Sequence, residues 1–139
     1  MNFRVFSKKQ GLYTNDPAWP SNQRTTSEFA LLTSGKIVEI VNHPPYDDEN
    51  SYIIDHDSRN YIVEPWTGYF DSKGKRIYRG DLLLAENDPE YLAEVIWQEG
   101  AFICQSKKDP NDMMALDLDV RVWKRIIVCG NIHGVEYND

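Results

Sequence analysis

Short β-like runs cut by glycine-bearing and polar turns constrain this chain more than any other feature, because sustained period-3.6 patterning is almost absent. Phe29-Ala30-Leu31-Leu32 and Ile37-Val38-Glu39-Ile40-Val41 flank Thr33-Ser34-Gly35-Lys36, the pattern of a hairpin with Gly35 supplying positive φ. Tyr52-Ile53-Ile54 and Tyr61-Ile62-Val63 bracket the polar stretch 55–60 and read as strand, turn, strand. Farther on, Arg76-Ile77-Tyr78, Leu82-Leu83-Leu84, Ala93 to Trp97, Ala101 to Cys104, and Val120 to Trp123 through Ile126-Ile127-Val128 recur at the spacing of a small barrel. Alternation expects Ile77, Leu82, Leu84, Val95 and Trp97 to point inward, with Tyr78 and Tyr69 partly exposed. Two Asp-Pro steps, Asp88-Pro89-Glu90 and Asp109-Pro110-Asn111-Asp112, have the form of helix starts and could each open one or two turns. The segment from Gly11 to Thr26 lacks apolar periodicity and reads as a long loop with Trp19 tucked onto the body.

With 139 residues the chain has room for one domain or two small units, and a boundary is expected between 1–66 and 67–139. Fifteen Lys and Arg against 22 Asp and Glu give a net charge of −7, which opposes binding to a phosphate backbone, so nucleic acid is an unfavoured partner. No run approaches the roughly 18 apolar residues of a transmembrane helix. The opening Met1-Asn2-Phe3-Arg4-Val5 lacks the basic and apolar regions of a signal peptide, so a cytoplasmic address without membrane association is expected. Cys104 and Cys129, each inside an apolar run, are expected as reduced thiols packed as small hydrophobes.

No stretch has the spacing of a catalytic or cofactor motif. Gly68 to Gly74-Lys75 has five intervening residues, and Arg76 stands where a Walker loop needs Ser or Thr. Asp47-Asp48-Glu49 with Asp55-His56-Asp57 lacks EF-hand order and its glycine, and reads as a solvated loop. His43 and His133 are remote in sequence from any nucleophile. No catalytic residue, metal ligand or cofactor is therefore assigned. Two basic runs, Lys73, Lys75, Arg76 and Arg79, and Arg121, Lys124 and Arg125, would form a basic face only if the fold brought them together. Aromatic residues cluster in the same half, and Tyr69, Tyr78 and Trp97 are the candidates for a binding groove.

The string Thr67-Gly68-Tyr69-Phe70-Asp71-Ser72-Lys73-Gly74-Lys75-Arg76-Ile77-Tyr78-Arg79-Gly80-Asp81-Leu82-Leu83 resembles the hallmark of the YopX protein family of phages and prophages. Phe3-Arg4-Val5-Phe6 is similar to that family's opening strand, and Val95 to Phe102 to the hairpin that follows the hallmark. Ile127-Val128-Cys129-Gly130-Asn131-Ile132-His133 is similar to its closing segment, so the resemblance covers about 1 to 135. This chain departs from the family at Tyr69 and Phe70, where an aliphatic and a basic residue are usual. The resemblance implies a mainly β protein with an SH3-like small β-barrel in the C-terminal half and a smaller β-rich N-terminal unit packed against it. It implies no reaction, because the family largely lacks an assigned activity.

Physically, Gly68, Gly74 and Gly80 sit where a turning chain needs positive φ or close backbone approach. Asp71 and Asp81 are placed to accept backbone hydrogen bonds, and Gly130-Asn131 to make the last corner, with Asn in the left-handed region. With Ile77 and Tyr78 these form the structural core of the motif. Function is thereby expected to be non-enzymatic binding of a host or phage protein, with self-association plausible at an open strand edge. A nucleic-acid-related role, by a basic face or by acidic mimicry of DNA, and an undetected hydrolase or nuclease stand as alternatives.

Overall fold

A computed structural model describes residues 3–18, 26–31, 37–42, 51–55, 58–86, 88–116 and 125–138. The described residues form twelve strands and one 3₁₀ turn, Ser58–Asn60, with no α-helix among them. The strands are β1 (Phe3–Ser7), β2 (Leu12–Tyr13), β3 (Thr26–Leu31), β4 (Ile37–Asn42), β5 (Ser51–Asp55), β6 (Tyr61–Phe70), β7 (Arg76–Tyr78), β8 (Asp81–Ala85), β9 (Asp88–Gln98), β10 (Ala101–Ser106), β11 (Met113–Ala115) and β12 (Ile126–Asn131). The fold is mainly β, as the turn-punctuated pattern implies.

Contacts divide the chain into two compact units, one of residues 1–4 with 64–136 and one of 5–63 with 137–139. The division is thus discontinuous, unlike the contiguous halves 1–66 and 67–139. A four-stranded sheet has the order β2-β1-β6-β7.

In the unit of residues 5–63 and 137–139, β3, β4 and β5 form an antiparallel sheet with β4 central. Its register pairs Phe29 with Glu39 and Ile40 with Ile53. The expected pairing across 55–60 is not made: β5 pairs with β4, and β6 joins another sheet. Leu12 and Tyr13, read from sequence as loop, pair with Ser7 and Phe6. Tyr13 is buried, with ring centroids 5.4 Å from Phe6 and 4.9 Å from Tyr137, both edge-to-face. A two-residue strand anchored by one aromatic leaves no periodicity to read. Trp19, the turn 33–36, His43, the acidic stretch 47–49, His56 and Asp57 lie outside the described residues.

In the unit of residues 1–4 and 64–136, a five-stranded antiparallel sheet has the order β11-β10-β9-β8-β12. Strands β8 to β11 follow one another as a meander, and the last strand returns beside the first. The core is Ile77, Leu83, Ala93, Val95, Cys104, Leu116 and Ile126, with Tyr91, Phe102 and Val128 packed partly against it. Both Asp-Pro steps depart from the helical expectation. Asp88 opens β9, with its Oδ1 accepting from Glu90 N at 3.3 Å. Asp109 makes a turn in which its Oδ1 accepts from Asn111 N and its carbonyl from Asp112 N. In each case the short acidic side chain closes a local loop, and cross-strand pairing takes the residues that follow.

Inward and outward assignments shift along this sheet. Ile77 and Val95 are buried as expected, but Leu83 rather than Leu82 or Leu84 is the buried leucine of β8. Trp97, expected inward, is 49% exposed where β9 leaves the core. Strand β12 is irregular between Val128 and Gly130, and intervening Cys129 is exposed rather than packed, whereas Cys104 is in the core.

Candidate functional site

Two features of the unit of residues 1–4 and 64–136 stand out physically: a buried cluster of charges and an exposed aromatic hairpin. The cluster begins with Arg4, which is 1% exposed on β1. Its Nε is 2.5 Å from Glu64 Oε2, and its Nη2 is 2.8 Å from Asp81 Oδ1. The second contact is an ion pair between two buried groups. Arg4 Nη2 also approaches Arg79 O at 3.4 Å, and the guanidinium lies over the Tyr78 ring, 4.8 Å from its centroid. The other carboxylate oxygen of Glu64 pairs with His133 Nε2. Asp81 Oδ2 accepts from Tyr78 N at 2.8 Å.

Burial explains the electrostatics. Desolvation pushes the Asp81 carboxyl from 3.8 up to about 6, against the pull of Arg4 and the Tyr78 N–H, and Glu64 adds to the rise. Arg4 therefore stands between two carboxylates, and the His133 imidazole provides a further partner for Glu64. Arg4, Glu64 and Asp81 are each 1% exposed and have no surface to present to a substrate. The cluster acts chemically as a lock, drawing β1, β6, the β7–β8 corner and the segment after β12 onto one another.

The hallmark residues build this lock. Gly80 has φ +87°, and a Cβ there would lie 2.9 Å from Glu64 Oε1 and 3.1 Å from its carboxyl carbon. Only a glycine admits both the backbone and the carboxylate, and Gly80 is further tied by its N to Val95 O and its O to Ile132 N. Asn131 makes the last corner, but by its side chain: Oδ1 accepts from His133 N and Nδ2 donates to Val135 O. The positive φ belongs to Gly134 and not to Asn131, because the Asx-type hydrogen bonds already close the turn. Tyr78, expected at a groove, is 1% exposed beneath Arg4 and lines no surface. Its ring lies under the buried Arg4 guanidinium, and that contact turns it inward.

The second feature is the β6–β7 hairpin. Its register pairs Trp66 with Tyr78 and Phe70 with Arg76, so residues 67–69 bulge opposite Ile77 alone. Gly68, at φ +91°, lets the bulge turn outward. Thr67 Oγ1 donates to Ile77 O and accepts from Tyr69 N, and Trp66 Nε1 donates to Tyr69 O at 3.0 Å. Trp66 meets Phe70 edge-to-face at 5.4 Å, and Arg76 lies over the Trp66 ring at 4.7 Å. Tyr69 and Phe70 are left 42% and 53% exposed. Trp97 stands on the β9–β10 hairpin in its own pair with Phe102, at 4.7 Å.

At the hairpin tip, Asp71 is buried and turned inward. Its Oδ1 accepts from Lys73 N and Lys75 N, and its Oδ2 from Val128 N at 3.0 Å. The outer side of the tip is thereby left to Lys73 and Lys75, with Arg79 also exposed. In the other basic run, Arg121 and Lys124 lie outside the described residues, and Arg125 is exposed.

Neither thiol is an activated nucleophile: burial pushes Cys104 up to about 12 and also raises Cys129. Among the described residues no group of His, Cys, Asp or Glu could hold a metal ion. No helix there is long and apolar enough to cross a membrane.

Sequence reasoning missed Arg4, Glu64 and His133 as partners. The available signal was a single charge inside an apolar strand, Phe3-Arg4-Val5-Phe6 and Ile62-Val63-Glu64-Pro65-Trp66.

The chain is thus a mainly β protein with a meander-and-return sheet, a buried ion cluster closed by Gly80 and a bulged hairpin. The YopX protein family matches residues 2–135, and the chain belongs to that family. Among solved structures it is similar to the crystal structure of protein yopX from Bacillus subtilis, with 19% identity and a TM-score of 0.54. That match covers 96% of this chain and 92% of the other, and it supports the fold. No curated protein matches.

Proposed function

We propose that this YopX-type protein is a non-enzymatic binding module that engages another protein through the β6–β7 hairpin. The observation that carries this reading is the exposure of Tyr69, on a bulge held by three hydrogen bonds, and of Phe70 next to it. Large aromatics on a pre-organised turn contribute contact area at little cost in ordering, which suits recognition. The order β12-β8-β9-β10-β11, a meander closed by a returning strand, supports an SH3-like barrel as the scaffold. The family supports a phage or prophage accessory role, acting on a host or phage protein in the bacterial cytoplasm.

The test is affinity capture of the tagged protein from a bacterial host, with and without nuclease, beside the Tyr69→Ala variant. A stoichiometric protein that survives nuclease and is lost from the variant is the expected result. Companions that vanish with nuclease would transfer the function to nucleic acid. A preparation with no companion, or a companion indifferent to Tyr69, would remove the hairpin from the mechanism.

A further inference from the structure

We propose that the β6–β7 hairpin binds an acidic peptide segment bearing apolar anchors, contributed by a partner protein. This rests on the binding-module reading and adds the chemistry of the partner.

Charge segregation carries the inference. Residues 65–80 contain Lys73, Lys75, Arg76 and Arg79 against the single carboxylate of Asp71, a local +3 in a chain of −7, so the remainder stands at −10. The Asp71 carboxylate does not offset the cations at the surface, because it is buried and accepts three backbone N–H groups. Among the described residues no carboxylate lies within ion-pair distance of Lys73, Lys75 or Arg79, all of them exposed. Pairing among the described residues therefore leaves these three charges to solvent. The same hairpin exposes Tyr69 and Phe70. Cations next to exposed aromatics are complementary to carboxylates next to apolar side chains.

A short acidic segment is favoured over a nucleic acid strand by the rest of the molecule. Fields are screened over about 8 Å at physiological salt, so a peptide confined to the hairpin meets the local +3. A polyphosphate running past the hairpin would meet the −10 remainder and lose the counterion-release gain.

Fluorescence anisotropy with a labelled peptide alternating Asp or Glu with Leu or Phe tests this directly. The controls are the same peptide with Lys for each acid, the acidic peptide with Ser for each apolar residue, and a thymidine oligonucleotide of matching length. The expected result is binding of the acidic-apolar peptide alone, weakened by salt and by about tenfold in the double variant Lys73→Glu with Lys75→Glu. Tyr69→Ala is expected to weaken it by a similar factor, with both variants melting close to the wild type.

Equal binding of the lysine peptide or the oligonucleotide, or charge reversal without effect, would overturn the inference. Sedimentation showing self-association abolished by Lys73→Glu with Lys75→Glu would replace the peptide with a second copy of the chain. If host capture still yields a Tyr69-dependent protein while no peptide binds, the acidic partner fails and the binding-module reading stands. If neither occurs, both fail.

Discussion

The buried cluster and the hairpin exterior use the same kinds of residue to opposite ends. Inside, Arg4 contacts two carboxylates, a carbonyl and an aromatic ring, and Glu64 contacts Arg4 and His133. Outside, Lys73, Lys75 and Arg79 make no ion pair to a described residue, and Tyr69 and Phe70 stand exposed. A desolvated charge is tolerated only when several partners hold it, whereas an exposed charge contributes little to folding whether or not it is paired. Stability should therefore follow the first region, and recognition the second. Trp66 to Asp81 contributes to both, through Tyr78, Gly80 and Asp81 inside and the hairpin outside, so one short stretch can be divided by mutation.

The strongest test removes the cation at the centre. Arg4→Met would leave Glu64 and Asp81 buried without their shared partner, and a loss of about 3–5 kcal/mol is expected in chemical denaturation. A loss below about 1 kcal/mol would mean that the cluster does not hold the unit together. Next come two glycines with nearly the same φ, +87° at Gly80 and +80° at Gly74, of which only Gly80 faces a neighbour within 4 Å. Gly74→Ala should cost about 1 kcal/mol, the backbone strain alone. Gly80→Ala should cost clearly more, because the Glu64 carboxylate it would meet is itself fixed by Arg4 and His133. Equal costs would show that the Glu64 contact is slack.

Protonation sharpens the same contrast. The Asp81 pKa is about 6 in the folded chain against 3.8 as its ordinary value, so the folded state binds more protons between those limits. Unfolding free energy from this group falls as pH rises through that window and is largest below about 4. The total is about 3 kcal/mol, most of it between pH 6 and 4. Arg4 and Glu64 face Asp81, and His133 contacts Glu64, so the comparison must be with Asp81→Asn. That variant keeps an oxygen for the Tyr78 N–H and removes the titration. Relative to wild type it should gain stability as pH rises from 4 to 7, and a constant gap across that range would refute the shift.

The strands were legible because turn residues punctuate them, and the family because its hallmark is contiguous. Arg4 and His133 were not, since their meeting depends on β1 and the end of β12 converging on Glu64, and pairing across such separations leaves no local periodicity. The β5–β6 hairpin was misread for a related reason: two apolar runs around a polar loop look alike whether they pair with each other or with different sheets. Tyr78 was misplaced because β7 buries consecutive residues, Ile77 and Tyr78, which alternation forbids on a single-sided strand. Tyr69 and Phe70 were visible as departures from the family pattern, but their outward turn depends on a bulge of three residues opposite one.

The smallest expected effect lies at that bulge. Tyr69 braces the hairpin through its backbone alone: its N donates to Thr67 Oγ1, and its O accepts from Trp66 Nε1. Truncation to Ala keeps both bonds and removes a half-exposed ring, so the change in unfolding free energy should stay within about 0.5 kcal/mol. Phe70→Ala differs because it also removes the edge-to-face contact with Trp66, worth about 0.5–1.5 kcal/mol beyond its area. Measured together by thermal unfolding, the pair separates a ring that only faces outward from one that also supports its neighbour. If Tyr69→Ala destabilised as much as Phe70→Ala, its ring would belong to the packing of the hairpin, and its exposure would no longer mark a surface kept for a partner.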